Sequence, residues 1–494
     1  MKTKEDNLLA HRRAGVLLHI TSLPNENGSG NMGKEAYNFV NFLHDAGVKV
    51  WQTLPLGVPH GDGSPYQCLS AHAGNPALIS LDGLVSKGWL QESEQCDTCD
   101  LGENYRESCL IGKALTGFKN LAGAEEKKAF KTYCAEKASW LDDFALFVAL
   151  RTEFSAQCWN QWPEALKERK ASAIKEARHR LALAIEIIKF EQFVFYSQWM
   201  ALKKYANERG VLLFGDIPIF VSYDSADVWA NREVFKLDKQ GGMSVVAGVP
   251  PDYFSATGQR WGNPHYDWKF LRRTQFDWWK ERTRTQLELF DILRIDHFRG
   301  FEAAWEVPAN EDTAMNGEWV KAPGKALLSA LKKEFGNIPL VAEDLGIITA
   351  EVDALRTDFN LPGMKILQFA FGDTAANPYL PHNYVPNTVV YTGTHDNDTT
   401  LGWFNSLNDY DKERIYGYLG CSQVSMPSLL MGTAFSSVAN LAIVPMQDIL
   451  ELGSEDRMNT PGTVNGNWKW QFFWGQLTEN KVAKLKNMIT MFSR

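Results

Sequence analysis

What this chain has little of narrows it first. No apolar run approaches the ~18 residues that a membrane-spanning helix needs. The charged start, Met1 to Arg13, lacks the apolar core of a signal peptide. Net charge is −8 and no basic block interrupts it, so neither nucleic acid nor a membrane surface is expected as a partner. Cysteine is scarce and odd in number, seven in 494 residues, which fits a reducing compartment; the expected location is cytoplasmic. There the sequons Asn27-Gly28-Ser29 and Asn397-Asp398-Thr399 have no consequence. Six cysteines fall between Cys68 and Cys158, and Cys96-Asp97-Thr98-Cys99 is a lone CxxC. It lacks the second pair, or the histidines, of a structural zinc site, so free thiols are expected. GxxxxGK before Ser or Thr and HExxH are missing, and the GxGxxG string Gly28 to Gly33 does not directly abut a strand, the first apolar run having ended at Ser22, so neither a nucleotide cofactor nor a metal is expected.

Aromatic residues, by contrast, are abundant: 17 Trp, 15 Tyr and 28 Phe. Many serve a core, but this many rings also suits a protein that stacks them on the apolar faces of sugars. Apolar runs mark strands. Ala14 to Ser22, Val48 to Leu54, Val211 to Pro218, Ile292 to Asp296, Ile338 to Gly346, Met364 to Phe371, Thr388 to Asn397 and Ala439 to Val444 make eight. Helical patterns alternate with them from 38–46 and 270–289 onward. The expected fold is therefore α/β, one (β/α)8 TIM barrel over 1–494.

Two intervals break the alternation. Residues 57–210 hold no comparable strand, and a mostly helical insertion is placed over 57–190. A second insertion covers 222–268. Its stretch 244–268 carries Pro250, Pro251, Pro264, Gly258 and Gly262 among Tyr253, Phe254, Trp261, Tyr266 and Trp268. Glycine and proline argue for loop, and rings in a loop argue for a binding lid or for a small core of its own.

Several runs end in acids or histidine: Asp216, Asp296, Glu343 and His395-Asp396. In a barrel such strand ends meet at one mouth. Arg294 and Asp296 are two apart, so on a strand they share a side, and the guanidinium favours an ionised carboxylate. A structural ion pair at the rim is the plain alternative. Grouped acids with an aromatic lid suit glycoside chemistry, in which one carboxylate attacks and another acts as acid, then base. Asp296 suits the first role. Glu343 suits the second, with Asp344 beside it and apolar residues before it to raise its pKa. Asp396 is left to stabilise the transition state.

Arg294 to Gly300, Ala342 to Gly346 and Thr394 to Asn397 resemble the motifs of the 4-α-glucanotransferases, the amylomaltases or disproportionating enzymes of glycoside hydrolase family 77. So do Ser64-Pro65-Tyr66, Asp216-Ile217-Pro218, Tyr253 to Trp261 and Asn377 to His382. The likeness runs from Gly15 to Trp474. It implies retaining transfer of α-1,4-glucan segments between maltodextrins, starch or glycogen-derived chains, and no C-terminal β-domain. It implies Asp296 as nucleophile, Glu343 as acid/base and Asp396 as stabiliser. Arg294, His395 and Asp216 would hold the sugar at the cleaved bond, with Tyr66 stacked beneath it. Ser64 and Asp373 would line the donor side, and Tyr253, Phe254, Gln259 and Trp261 the acceptor side. A glucan hydrolase on the same barrel is the alternative. A silent glucan-binding protein is disfavoured, since it needs no acid/base pair. Oligomeric state is left open.

Overall fold

The computed structural model describes residues 8–25, 28–93, 103–251, 255–372, 374–421, 424–463 and 465–494. Twelve strands are found among them: β1 Arg13–Leu17, β2 Val50–Gln52, β3 Leu212–Pro218, β4 Val245–Val249, β5 Gln259–Pro264, β6 Ile292–Asp296, β7 Ala303–Pro308, β8 Glu318–Lys321, β9 Leu340–Ala342, β10 Gly363–Ile366, β11 Thr388–Tyr391 and β12 Leu441–Pro445. Eight of them close a parallel barrel in the order β1-β12-β11-β10-β9-β6-β3-β2. The expected eight-stranded barrel is the fold observed.

Alternation along these strands decides what faces the axis. Val50, Phe214, Ile292, Val389, Tyr391, Leu441 and Ile443 share the inner cluster. Their neighbours Trp51, Leu213, Leu293, Val390 and Ala442 belong to the outer layer under the helices. Carried two residues on, the same period puts Asp216 of β3, and Arg294 and Asp296 of β6, on the inward side. The parallel register pairs Asp216 with Arg294 and Ile295 with Ala342. Glu343, the residue after β9, therefore leaves its strand beside Asp296.

Between β2 and β3 the described residues are mostly helical, ending in the 27-residue helix Ala182–Glu208. Position 190, the expected end of the first insertion, falls inside that helix. The second insertion differs from its reading as a loop. β4 and β5 form an antiparallel hairpin within 244–268, in a four-stranded sheet of order β5-β4-β7-β8. Two of its strands come from 303–321, after β6, where no strand was anticipated. The edge strand β5 keeps its glycine because Gly262 has φ 80°, a left-handed conformation that suits no other residue well. The expected helix 270–289 is split into Trp268–Arg273 and Asp277–Leu289 by Gln275 and Phe276, both at positive φ.

Among the described residues no helix is long and apolar enough to cross a membrane, and no group of three or more His, Cys, Asp or Glu could hold a metal ion. Cys68, Cys109, Cys134, Cys158 and Cys421 are free thiols. Cys96 and Cys99 lie outside the described residues.

Candidate active site

The barrel mouth gathers the acids that ended the strands. Arg294, 5% exposed, forks between two carboxylates: Nη1 lies 2.6 Å from Asp216 Oδ2, and Nη2 lies 2.8 Å from Asp296 Oδ1. Tyr66 donates its hydroxyl to the same Asp216 oxygen at 2.8 Å. Burial pushes the Asp216 carboxyl up, against the pull of Arg294 and the Tyr66 hydroxyl. Its other oxygen, Oδ1, is buried without a hydrogen-bond partner. Asp296 is the more open partner, with 29% of its side chain exposed.

Glu343 accepts two backbone amides, His297 N–H on Oε2 at 2.6 Å and Leu345 N–H on Oε1 at 2.9 Å. Its pKa is nevertheless pushed up to about 7, first by burial and then by the charge of Asp296, against Arg294 and the two amides. The expected help from Asp344 is not found. That side chain turns away, accepting Met364 N–H at 2.7 Å and meeting Arg356 Nε at 3.3 Å. Consecutive residues leaving a strand point to opposite sides, so adjacency in sequence does not make the two carboxyls neighbours.

His395 and Asp396 do not end a strand. β11 stops at Tyr391, and the turn that follows is tied by Asn397 Oδ1, which accepts Thr394 N–H at 2.9 Å. Burial of the site opposes charge on Asp396. His395 Nε2 at 3.3 Å and the Asn459 amide at 2.6 Å outweigh it and hold the carboxyl far below the usual range. Tyr66 stacks on the His395 ring, centroids 5.2 Å apart at 15°. Behind His395, burial lowers His19 to about 3, and its Nδ1 meets Thr53 Oγ1 at 3.0 Å.

Three contributors had no sequence signal. Asn459 binds the Asp396 side chain, Arg457 donates to the Asp396 carbonyl at 3.1 Å, and Trp468 lies 6.1 Å from the Tyr66 ring and 6.0 Å from that of His395. All come from the segment after β12, and none belongs to a recognisable local pattern.

The expected donor-side residue Ser64 accepts Tyr66 N–H at 3.4 Å, in the same loop. On the opposite side Trp261, in β5, meets the His297 ring edge-to-face at 4.9 Å and donates its indole N–H to Gln259 at 3.2 Å. Tyr253, Phe254 and Asp373 lie outside the described residues. The structure thus brings together Asp216, Arg294, Asp296, Glu343, His395, Asp396 and Tyr66, and puts Trp261 and Gln259 beside the turn that follows Asp296.

The family model described as 4-alpha-glucanotransferase matches residues 18–475. The chain belongs to this family. It is 49% identical over 490 residues to a 4-alpha-glucanotransferase of Thermus thermophilus, covering 97% of this chain and 98% of that one. A 4-alpha-glucanotransferase of Synechocystis sp. is 47% identical over 500 residues, with 99% of each chain covered. Among solved structures, an amylomaltase from Streptococcus agalactiae in complex with acarbose superposes with a TM-score of 0.94. It is 38% identical and covers 98% of this chain and 99% of its own.

Proposed function

We propose that this chain, a 4-α-glucanotransferase by family, moves α-1,4-glucan segments between maltodextrins by double displacement. Asp296 attacks the anomeric carbon, Glu343 protonates the leaving sugar and then deprotonates the incoming one, and Asp396 stabilises the oxocarbenium-like transition state. One observation carries the assignment. On adjacent strands, one carboxylate is ion-paired to Arg294 at 2.8 Å while its neighbour is pushed up to about 7. Two carboxyls whose environments differ in this way are suited to the nucleophile and to the acid.

The remaining groups bind. Asp216, held by Arg294 and the Tyr66 hydroxyl, fixes the two groups that meet the sugar. Arg294 and His395 hold that sugar, and the Tyr66 ring stacks beneath it. Ser64 and Asp373 extend the donor side; Tyr253, Phe254, Gln259 and Trp261 line the acceptor side. Maltodextrins and starch or glycogen-derived oligosaccharides are the proposed donors and acceptors. Hydrolysis is the less favoured outcome: both fates of the glycosyl-enzyme use the same base, and the aromatic strand favours a bound sugar over water.

Trapping the intermediate tests this. Glu343→Gln leaves Asp296 able to displace fluoride, which departs without a proton, while the second step lacks its base. A glycosyl fluoride should therefore add one glycosyl unit to the variant, seen by mass spectrometry and mapped to Asp296. An unmodified mass, or label on another residue, contradicts the assignment.

A further inference from the structure

The residue after the attacking carboxylate has an unusual backbone. His297, the residue after β6, has φ 52° and ψ 51°, the left-handed region that a side chain bearing a Cβ enters only at a cost. Strain of this kind persists where surrounding contacts enforce it. Here the turned amide points at Glu343 and donates to its carboxylate at 2.6 Å. The next amide, Phe298 N–H, donates to the Glu343 carbonyl at 3.1 Å. One short turn thus grips a single residue by both its main chain and its side chain.

Glycine would adopt this backbone without strain and offer the same N–H. The imidazole must therefore be accounted for separately. Among the described residues, the aromatic ring it meets is that of Trp261, edge-to-face at 4.9 Å and 89°. Trp261 sits in β5, the edge strand of the second sheet. His297 is therefore a point of contact between the edge of that sheet and the catalytic turn.

We infer that His297 is a positioning residue with two separable parts: its left-handed backbone aims an amide at Glu343, and its ring props the acceptor-side strand through Trp261. The inference rests on Glu343 being the acid/base. The charged and titratable groups facing Glu343 are Arg294, Asp296 and Tyr379; those facing His297 are Asp296, Arg299 and His265. Burial lowers the His297 ring to about 4, so it is neutral while Glu343 titrates.

Substitutions at this one position separate the parts, read by the pH dependence of kcat/KM on maltotriose and by KM for glucose as acceptor. His297→Asn and His297→Gly tolerate the left-handed turn and lose only the ring. Their KM for glucose should rise about fivefold, the worth of one edge-to-face ring contact, with the alkaline limb unmoved. His297→Val is β-branched and leaves that conformation, which takes the amide from the carboxylate. Losing a donor to its charged form raises the Glu343 pKa. The alkaline limb should move up by about half a pH unit or more and kcat fall about tenfold. His297→Ala meets a milder backbone cost and should show a smaller shift of the same sign; it replaces the Val variant if thermal melting shows that protein unfolded. An Asn variant whose limb moves as far as that of Val, or Val and Ala variants with unmoved limbs, overturns the backbone part. Wild-type KM for glucose in Asn and Gly overturns the ring part. Glu343→Gln run beside them must be inactive on maltotriose; activity there would remove the underlying assignment and not this coupling.

Discussion

Glu343→Gln should change the sign of its effect on stability as pH rises. The Glu343 carboxyl binds its proton more tightly folded, with a pKa of about 7 against an ordinary 4.5, and burial is the first cause. For a carboxyl raised in this way, ionisation opposes folding. The penalty is absent below pH 4.5, grows as pH rises, and is complete above about 7. The difference between 7 and 4.5 corresponds to roughly 3–3.5 kcal/mol. Glutamine has no charge to bury and escapes this cost. It carries another: its NH2 must face one of the two amides, of His297 and Leu345, that the carboxylate accepts. That mismatch is independent of pH and costs about 1–2 kcal/mol. At ~2.1 cal/mol/K per residue, unfolding entropy for this chain is about 1 kcal/mol/K, so each kcal/mol moves Tm by about 1 °C. The variant should melt about 1–2 °C below wild type at pH 4.5 and level with it or above by pH 8.5. Calorimetric melts at one scan rate in matched buffers read the difference, from which titrating groups remote from Glu343 cancel. A difference that stays flat across this range, or that falls with pH, would refute the reasoning about burial.

With Glu343 as the proposed general acid, kcat/KM on maltotriose should fall above about pH 7, as its carboxyl loses its proton. Asp296→Asn should lose turnover by several powers of ten while isothermal titration still detects maltooligosaccharide binding, because shape is kept and only the attacking charge is removed. Asn459→Ala removes the 2.6 Å hydrogen bond that holds Asp396; steady-state kinetics should show kcat reduced about tenfold with KM little changed, since the loss is felt where charge develops. Trp261→Ala should raise the ratio of hydrolysis to transfer, measured as new reducing ends per free glucose; an unchanged ratio would mean that this ring does not hold the acceptor.

Much of the barrel was legible because its strands are buried on both faces and read as apolar runs. Asp216, Asp296 and Glu343 stood out because each closes or interrupts such a run. The second sheet was hidden. Its hairpin is rich in glycine and proline, its other two strands follow β6 in sequence, and the pairing that makes them strands is non-local. Asp396 was found from its motif, although it lies in a turn five residues beyond the end of β11. What holds it was not found, because Asn459 is 63 residues away and nothing local marks it. The Glu343 pKa was expected to be raised, but partly for the wrong reason: Asp344 is adjacent in sequence and faces elsewhere in space. The role of the His297 amide lies in a backbone angle that the residue type does not announce.

The central claim is that the glycosyl-enzyme passes its sugar to another glucan and not to water. Water is ~55 M, so a millimolar sugar competes only if the protein binds and orients it. The most direct measurement is to incubate the protein with maltotriose, separate the products by size and count reducing ends over time. The account predicts free glucose together with a ladder of longer oligosaccharides, at a nearly constant number of reducing ends. Reducing ends that increase in step with bond cleavage, without a ladder, would contradict it.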